Sequence, residues 1–277
     1  MVDAKTLSRL RDKNFLAFVA HSLALAASVI GFQSRSNVIK STGLDRIAID
    51  PNGTLPDQCV LDYDTIARPN GGINYAYAIY IFFAISAVAH LFYAMSPAYA
   101  TVLSQGWNPF RWFEYALSAS VMSSILAAAD GTKDASTVVA LGLLTGAMQF
   151  TGLSNEANLR YNVTPNKDSI SASFLVGWFL FLILFGVIGY NFVMAIRDVK
   201  AIPTATNLPG FVYFVFVSQI VFYALFGLTQ RAHASDRLKG FKRFEMHEDR
   251  YILLSFASKI ALAGGFAYGL IFRTRNC

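Results

Sequence analysis

The stretch YILLSFASKIALAGGFAYGLIF, residues 251–272, is apolar throughout except for one charged side chain, Lys259, near its middle. An ammonium group at that depth in hydrocarbon costs roughly 3 kcal/mol on insertion scales, so a lysine there calls for a partner or a covalent use. Six comparable runs precede it, at 15–32, 73–95, 110–129, 136–154, 169–196 and 210–230. Each has about the 20 residues a helix needs to cross some 30 Å of hydrocarbon. The expectation is an all-α membrane protein, a seven-transmembrane helix bundle forming one domain over residues 1–277. A composition with 55% hydrophobic and 14% charged residues excludes an ordinary soluble domain.

Lysine and arginine placement sets the expected orientation. With the N-terminus inside, about 13 of these residues fall in cytoplasmic segments against about 9 outside. That bias predicts a cytoplasmic N-terminus, an extracellular C-terminus, and a basic cytoplasmic loop QRAHASDRLKGFKRFEMHEDR between the sixth and seventh spans, with His233 and His247 solvated in it. The net charge of +6 is then explained by the membrane rule without nucleic acid. The basic N-terminal segment precedes a full-length span with no small-residue cleavage site, so it is not read as a removed signal peptide.

The first loop, residues 33–72, is far longer than most helix connections and is expected to carry structure of its own. Asn52-Gly53 between β-branched stretches favours a tight turn, so a small extracellular β-hairpin is expected there. Asn52-Gly53-Thr54 and Asn162-Val163-Thr164 both fit a glycosylation acceptor, the second disfavoured by its expected cytoplasmic position and by Pro165. Cys59 and Cys277 fall outside on this topology, where a disulfide is chemically allowed, although two unpaired thiols are the plainer reading. Trp107 and Trp112, at the start of the third span, read as interfacial anchors. Gly142 with Gly146, and Gly265 with Gly269, match small-xxx-small spacing, which predicts close helix contacts and permits a dimer face on the fourth span.

The polar residues inside the spans carry the functional argument. His21, Glu114 and Ser255 lie a few residues beyond the cytoplasmic ends of their spans, and His90 a few before its own, which puts all four at similar depth. Lys259 lies just beyond them. Ser255 and Lys259 are spaced i, i+4 on one face of the seventh helix, and Glu114, Ser118 and Met122 form the same kind of stripe on the third. A lysine in the seventh span suggests a Schiff base with retinal. A protonated Schiff base needs a compensating anion, and Glu114 reads as the one carboxylate clearly within a span. For a polyene pocket the sequence offers Met122, Met148, Trp178, Phe216, Gln219 and Tyr223 at mid-membrane depth.

Plainer readings stand beside these. Lys259 and Glu114 also fit a structural ion pair or a transporter's coupling pair. Glu114 also fits a side chain snorkelling to the headgroups or pairing with Arg111 one turn away. The two histidines fit either packing or a proton-accepting network. Neither HExxH, CxxC nor another ligand spacing occurs, and GxGxxG, P-loop and GxSxG motifs are missing, so neither a metal site nor an enzyme is expected.

At the third span, Arg111-Trp112-Phe113-Glu114-Tyr115 followed by Ala116-Leu117-Ser118-Ala119-Ser120 resembles the signature of heliorhodopsins. Ser255-Phe256-Ala257-Ser258-Lys259 resembles their retinal site. The likeness extends over essentially the whole chain, including the long first loop and the N-terminus inside. It implies all-trans retinal on Lys259, Glu114 as counterion, and His21, His90 and Ser255 around a cytoplasmic-side cavity. It also implies a homodimer formed through the fourth and fifth spans. The third span lacks the paired carboxylates of proton pumps, and Ser255 stands where pumps place an Asp, so net pumping is not expected. The function expected is a photosensory receptor in the membrane, read by an unknown cytoplasmic partner through the basic loop. A light-gated proton or cation channel is the alternative, with Gln219, Ser218 and Asn191 as its few outer polar groups. A second alternative is a retinal-free transporter, which would be colourless.

Overall fold

A computed structural model of the chain describes residues 4–33, 47–48, 62–63, 75–132, 134–161, 171–200, 210–236 and 241–273. Its helices are α1 (Ala4–Gln33), α2 (Tyr75–Met95), α3 (Pro97–Ser104), α4 (Pro109–Ala129), α5 (Ala135–Tyr161), α6 (Ala172–Lys200), α7 (Gly210–Asp236) and α8 (Phe241–Arg273). Two two-residue strands, β1 (Ile47–Ala48) and β2 (Asp62–Tyr63), pair antiparallel with Ile47 opposite Tyr63. The expected turn at Asn52-Gly53, both cysteines and the Asn162 acceptor lie outside the described residues.

Among the described residues the seven long helices pack as a closed ring, each against its neighbour in chain order, with α8 returning to α1. Six of them are long and apolar enough to cross a membrane, and α4 is not among those six. Its deficit lies in Arg111, Glu114 and the serines at 118, 120, 123 and 124. These are the residues it turns inward: Arg111, Glu114, Ser118 and Ser123 are buried, while Phe113 and Leu117 face out. The bundle is thus that of an integral membrane protein, polar inside and apolar outside at this helix.

Local sequence explains the turns. Ser96 caps α3 by accepting from Ala98 N–H, and Pro97 fills the first helical position, where its missing N–H costs nothing. Asn108 and Pro109 repeat the device at α4, with Asn108 Oδ1 accepting from Arg111 N–H. After Asp130, Gly131 adopts φ +101°, a left-handed conformation, and its missing side chain lets α6 approach at Ala195 and Asn191. Asp134 then caps α5 by accepting from Thr137 N–H at 2.6 Å.

The glycine pairs are consumed within the bundle. A methyl at Gly142 or Gly146 would strike Ser124 or Ser120 of α4, and one at Gly265 or Gly269 would strike Val215 or Phe211 of α7. That face of α5 is therefore covered by α4. The basic loop is also shorter than read from sequence. α7 continues to Asp236 and α8 begins at Phe241, so most of the residues expected in a loop are helical.

The two ends of the ring differ. Away from the N-terminus of α1, the interior is a continuous apolar cluster that includes Phe32, Ile79, Phe82, Phe83, Ile125, Leu126, Val138, Leu184, Ile188, Leu262 and Phe266. Toward the N-terminus of α1, a small apolar cluster of Leu10, Tyr93, Tyr99 and Leu103 is joined by buried polar and charged side chains, among them Asn14, His90, Arg111, Glu156 and Glu248, and ion pairs close the rim. Arg9 and Lys13 of α1 pair with Glu245 and Asp249 of α8, and Arg11 Nε donates to the Ala94 carbonyl at the end of α2.

Candidate functional site

Where polar and apolar halves meet, Lys259 Nζ lies 3.3 Å from Glu114 Oε1 and donates to Ser255 Oγ at 2.7 Å. Lysine and glutamate are both almost completely buried. The one-turn spacing of Ser255 and Lys259 brings the hydroxyl under the amine, as the sequence periodicity requires. Glu114 Oε1 also accepts from Ser118 Oγ at 2.9 Å, one turn along α4, and from Ser86 Oγ of α2 at 2.5 Å. Three donors thus converge on one carboxylate oxygen, which offsets part of the desolvation of a buried charge. Ser86 was missed in the sequence. Its signal was its place one turn before His90 on the same face of α2.

Lys259 stands in the wall of a cavity lined mainly by aromatic and apolar side chains. Ser118, Met122, Met148, Trp178, Tyr223, Ser255 and Lys259 all line it. Phe216 and Gln219 do not. The Phe216 ring packs 4.8 Å from Phe192, and Gln219 Nε2 donates to the Ser258 carbonyl. Residues not expected in the pocket from the sequence complete the wall, among them Trp112, Tyr115, Phe181, Phe226 and Ser258. Gly227 and Gly152 admit the rings beside them: a methyl on Gly227 would come within 2.9 Å of Trp178, and one on Gly152 within 2.3 Å of Trp112.

His21 of α1 and His90 of α2 are buried beside this centre with rings stacked at 5.1 Å. His21 Nδ1 lies 2.8 Å from the Ala17 carbonyl and His90 Nδ1 lies 2.8 Å from Asn14 Oδ1. The depth argument placed both histidines at the level of Glu114, and in the structure both lie within electrostatic reach of Glu114 and Lys259.

A second buried charge cluster corrects four sequence expectations. Arg111 does not pair with Glu114. It pairs with Glu156 of α5 at 2.8 Å and with Glu248 of α8, and lies over the Tyr251 ring at 3.9 Å. Glu114 is therefore not the sole carboxylate within the helices, but it is the one that faces Lys259. Trp112 is no interfacial anchor. It is buried, and its Nε1 donates to Glu156 at 2.5 Å. His233 and His247 are not solvated; their rings stack at 5.2 Å inside the bundle, because the helical extensions of α7 and α8 pack there. Sequence alone hid this cluster, since Glu156, His233 and Glu248 sit at helix ends that composition reads as aqueous.

The cavity offers aromatic and thioether walls, the Lys259 amine and the Ser118, Ser255 and Ser258 hydroxyls, with the Glu114 carboxylate 3.3 Å from the amine. Such a wall suits a largely apolar ligand, and a buried amine in it can condense with a carbonyl. Among the described residues no group of three or more metal-ligating side chains occurs. The family model described as Heliorhodopsin matches residues 57–270, more than half of the chain. No curated protein matches.

Proposed function

The chain belongs to the heliorhodopsin family, which implies a retinal chromophore, and on that premise we propose that it is a photosensory receptor. In this reading all-trans retinal is carried on Lys259, in a bundle that spans the membrane seven times with its N-terminus in the cytoplasm. The observation that carries it is the buried Lys259 amine, 3.3 Å from the Glu114 carboxylate at the head of an aromatic cavity. Bound retinal supplies light-driven isomerisation and a cationic nitrogen at Lys259. The chain's own residues supply the rest. Glu114 balances the positive charge, and Ser86 and Ser118 fix its Oε1 by donating to it. Trp178, Met122, Met148 and Tyr223 confine the polyene and exclude water. His21 and His90 receive a proton at Nε2, the nitrogen left bare on each ring.

The absence of net pumping is supported by the apolar cluster between this pocket and the far end of the bundle. Among the described residues, Phe82, Ile125 and Leu262 separate His90 from Asp130, the buried carboxyl past the far end of α4, so a proton released toward His90 returns by the path it left. The same cluster disfavours the channel alternative. The transporter alternative leaves the aromatic cavity without a use. A homodimer through α5 and α6 would use their outward apolar side chains Val139, Leu143, Leu175 and Phe179; cysteine crosslinking between copies at Leu143 or Phe179 tests it.

The deciding measurement is the visible spectrum of protein purified with all-trans retinal, across pH, beside Lys259→Ala and Glu114→Gln. A band absent in Lys259→Ala, shifting to longer wavelength on acidification, and insensitive to acid in Glu114→Gln, is the expected result. A colourless wild type would overturn the reading and favour the transporter. Light-induced current across a bilayer would favour the channel.

A further inference from the structure

The two histidines of the pocket are held in one tautomer each, by different means. His21 Nδ1 faces the Ala17 carbonyl, which only accepts, so Nδ1 carries the hydrogen and Nε2 is a bare lone pair. His90 Nδ1 faces Asn14 Oδ1, and an asparagine amide taken alone fits such a contact either way round. Here the amide is committed. Asn14 Nδ2 donates to the Leu10 carbonyl at 2.8 Å and to the Tyr99 hydroxyl at 3.0 Å. The Leu10 carbonyl accepts no other arrangement, so Oδ1 is turned to His90 and the His90 hydrogen also sits on Nδ1. Nε2 of both rings is buried and, among the described residues, has no hydrogen-bond partner.

Asn14 itself is about 1% exposed and lies two turns before His21 on the same face of α1. Tyr99 is locked by stacking on Tyr93 at 5.0 Å, and Tyr93 meets the His90 ring edge-on at 5.6 Å. The titratable groups around the pair are Glu114 of α4, Lys259 of α8, Tyr93 of α2 and Tyr99 of α3.

We propose that Asn14 is a positioning residue for proton acceptance. It fixes His90 with Nε2 as the bare, basic nitrogen and holds Nδ1–H in place when the ring becomes a cation. The inference rests on the histidines acting as acceptors, as proposed above. In the step itself one N–H bond breaks at the Lys259 nitrogen and one forms at His90 Nε2 through its lone pair, with no electron transfer. The charge formed on the ring is met by Asn14 Oδ1 on one side and lies near Glu114 on the other. The tautomer is set before light arrives, so no ring flip or proton exchange has to precede transfer.

Nitrogen NMR of the histidine rings tests this directly, with His90 assigned through His90→Phe, because it reads which nitrogen bears hydrogen whether or not retinal is present. Wild type is expected to show hydrogen on Nδ1 and a bare Nε2 at His90. Asn14→Leu should lose that state, and Asn14→Asp, which keeps an acceptor in the same place, should keep it. In the pigment, Asn14→Leu should slow light-induced deprotonation about ten-fold, the rate equivalent of one hydrogen bond, and Asn14→Asp should restore it. Hydrogen on Nε2 in wild type, an unchanged tautomer in Asn14→Leu, or an Asp variant as slow as the Leu variant would each overturn the proposal. Should Asn14→Leu fail to fold, the wild-type spectrum and Asn14→Asp decide. Failure of the underlying reading looks different: a His21→Ala, His90→Ala pigment would deprotonate at the wild-type rate while the tautomer stayed as described.

Discussion

Replacing Arg111 by Met removes the one guanidinium that neutralises two buried carboxylates. Arg111, Glu156 and Glu248 are 3%, 3% and 2% exposed, so bulk water does little to compensate. Glu156 would keep donors from Asn108 N–H and Trp112 Nε1, and Glu248 would keep Asn108 Nδ2. The contact of Arg111 with the Tyr251 ring would go as well. Removing one partner of a buried ion pair costs about 3–5 kcal/mol, because the other charge is left uncompensated. At roughly 2–4 °C per kcal/mol for a chain of this size, the midpoint should fall by about 6–20 °C. The assay is thermal loss of the native fold in detergent, followed by tryptophan fluorescence. The triple variant Arg111→Met, Glu156→Gln, Glu248→Gln removes all three charges and should recover most of the loss. A single variant within about 1 kcal/mol of wild type, or a triple variant no better than the single one, would refute the argument that uncompensated charge sets the cost.

Asp130, beyond the end of α4, is buried, and among the described residues neither carboxylate oxygen has a hydrogen-bond partner. Burial holds this carboxyl well above the usual carboxylate range. Its folded-state value thus exceeds the unfolded one near 3.9. Its stabilising contribution is complete below that value and is lost as pH rises toward the folded one. Asp130→Asn should therefore gain on wild type between pH 5 and pH 8 in paired thermal melts, and a constant gap would refute this. Gly227→Ala should push on Trp178 from 2.9 Å and shift the visible band or lower pigment yield, whereas Gly186→Ala, which meets nothing within 4 Å, should leave both unchanged. Lys13→Ala should cost under about 1 kcal/mol, and less at high salt, because its pair with Asp249 is partly exposed.

Much of the centre was legible from periodicity and depth. Lys259 and Glu114 had to meet something charged inside a membrane, and the one-turn spacings to Ser255 and Ser118 were fixed by the helix itself. Ser86 followed the same rule from His90 and was overlooked because a lone serine in a span carries no charge signal. Phe216 and Gln219 had the right depth but are absent from the cavity wall, since depth gives height along the bundle and not rotation about the helix axis.

The amino-acid sequence by itself determined the apolar runs, the heights of the polar side chains and the family, because these depend on composition and on spacing along single helices. Only the tertiary structure decided which groups meet: that Arg111 serves Glu156 and Glu248, that His233 and His247 are buried, and that Asn14 holds His90. Each of these joins residues far apart in the chain, and their meeting depends on how the helices turn and pack about one another.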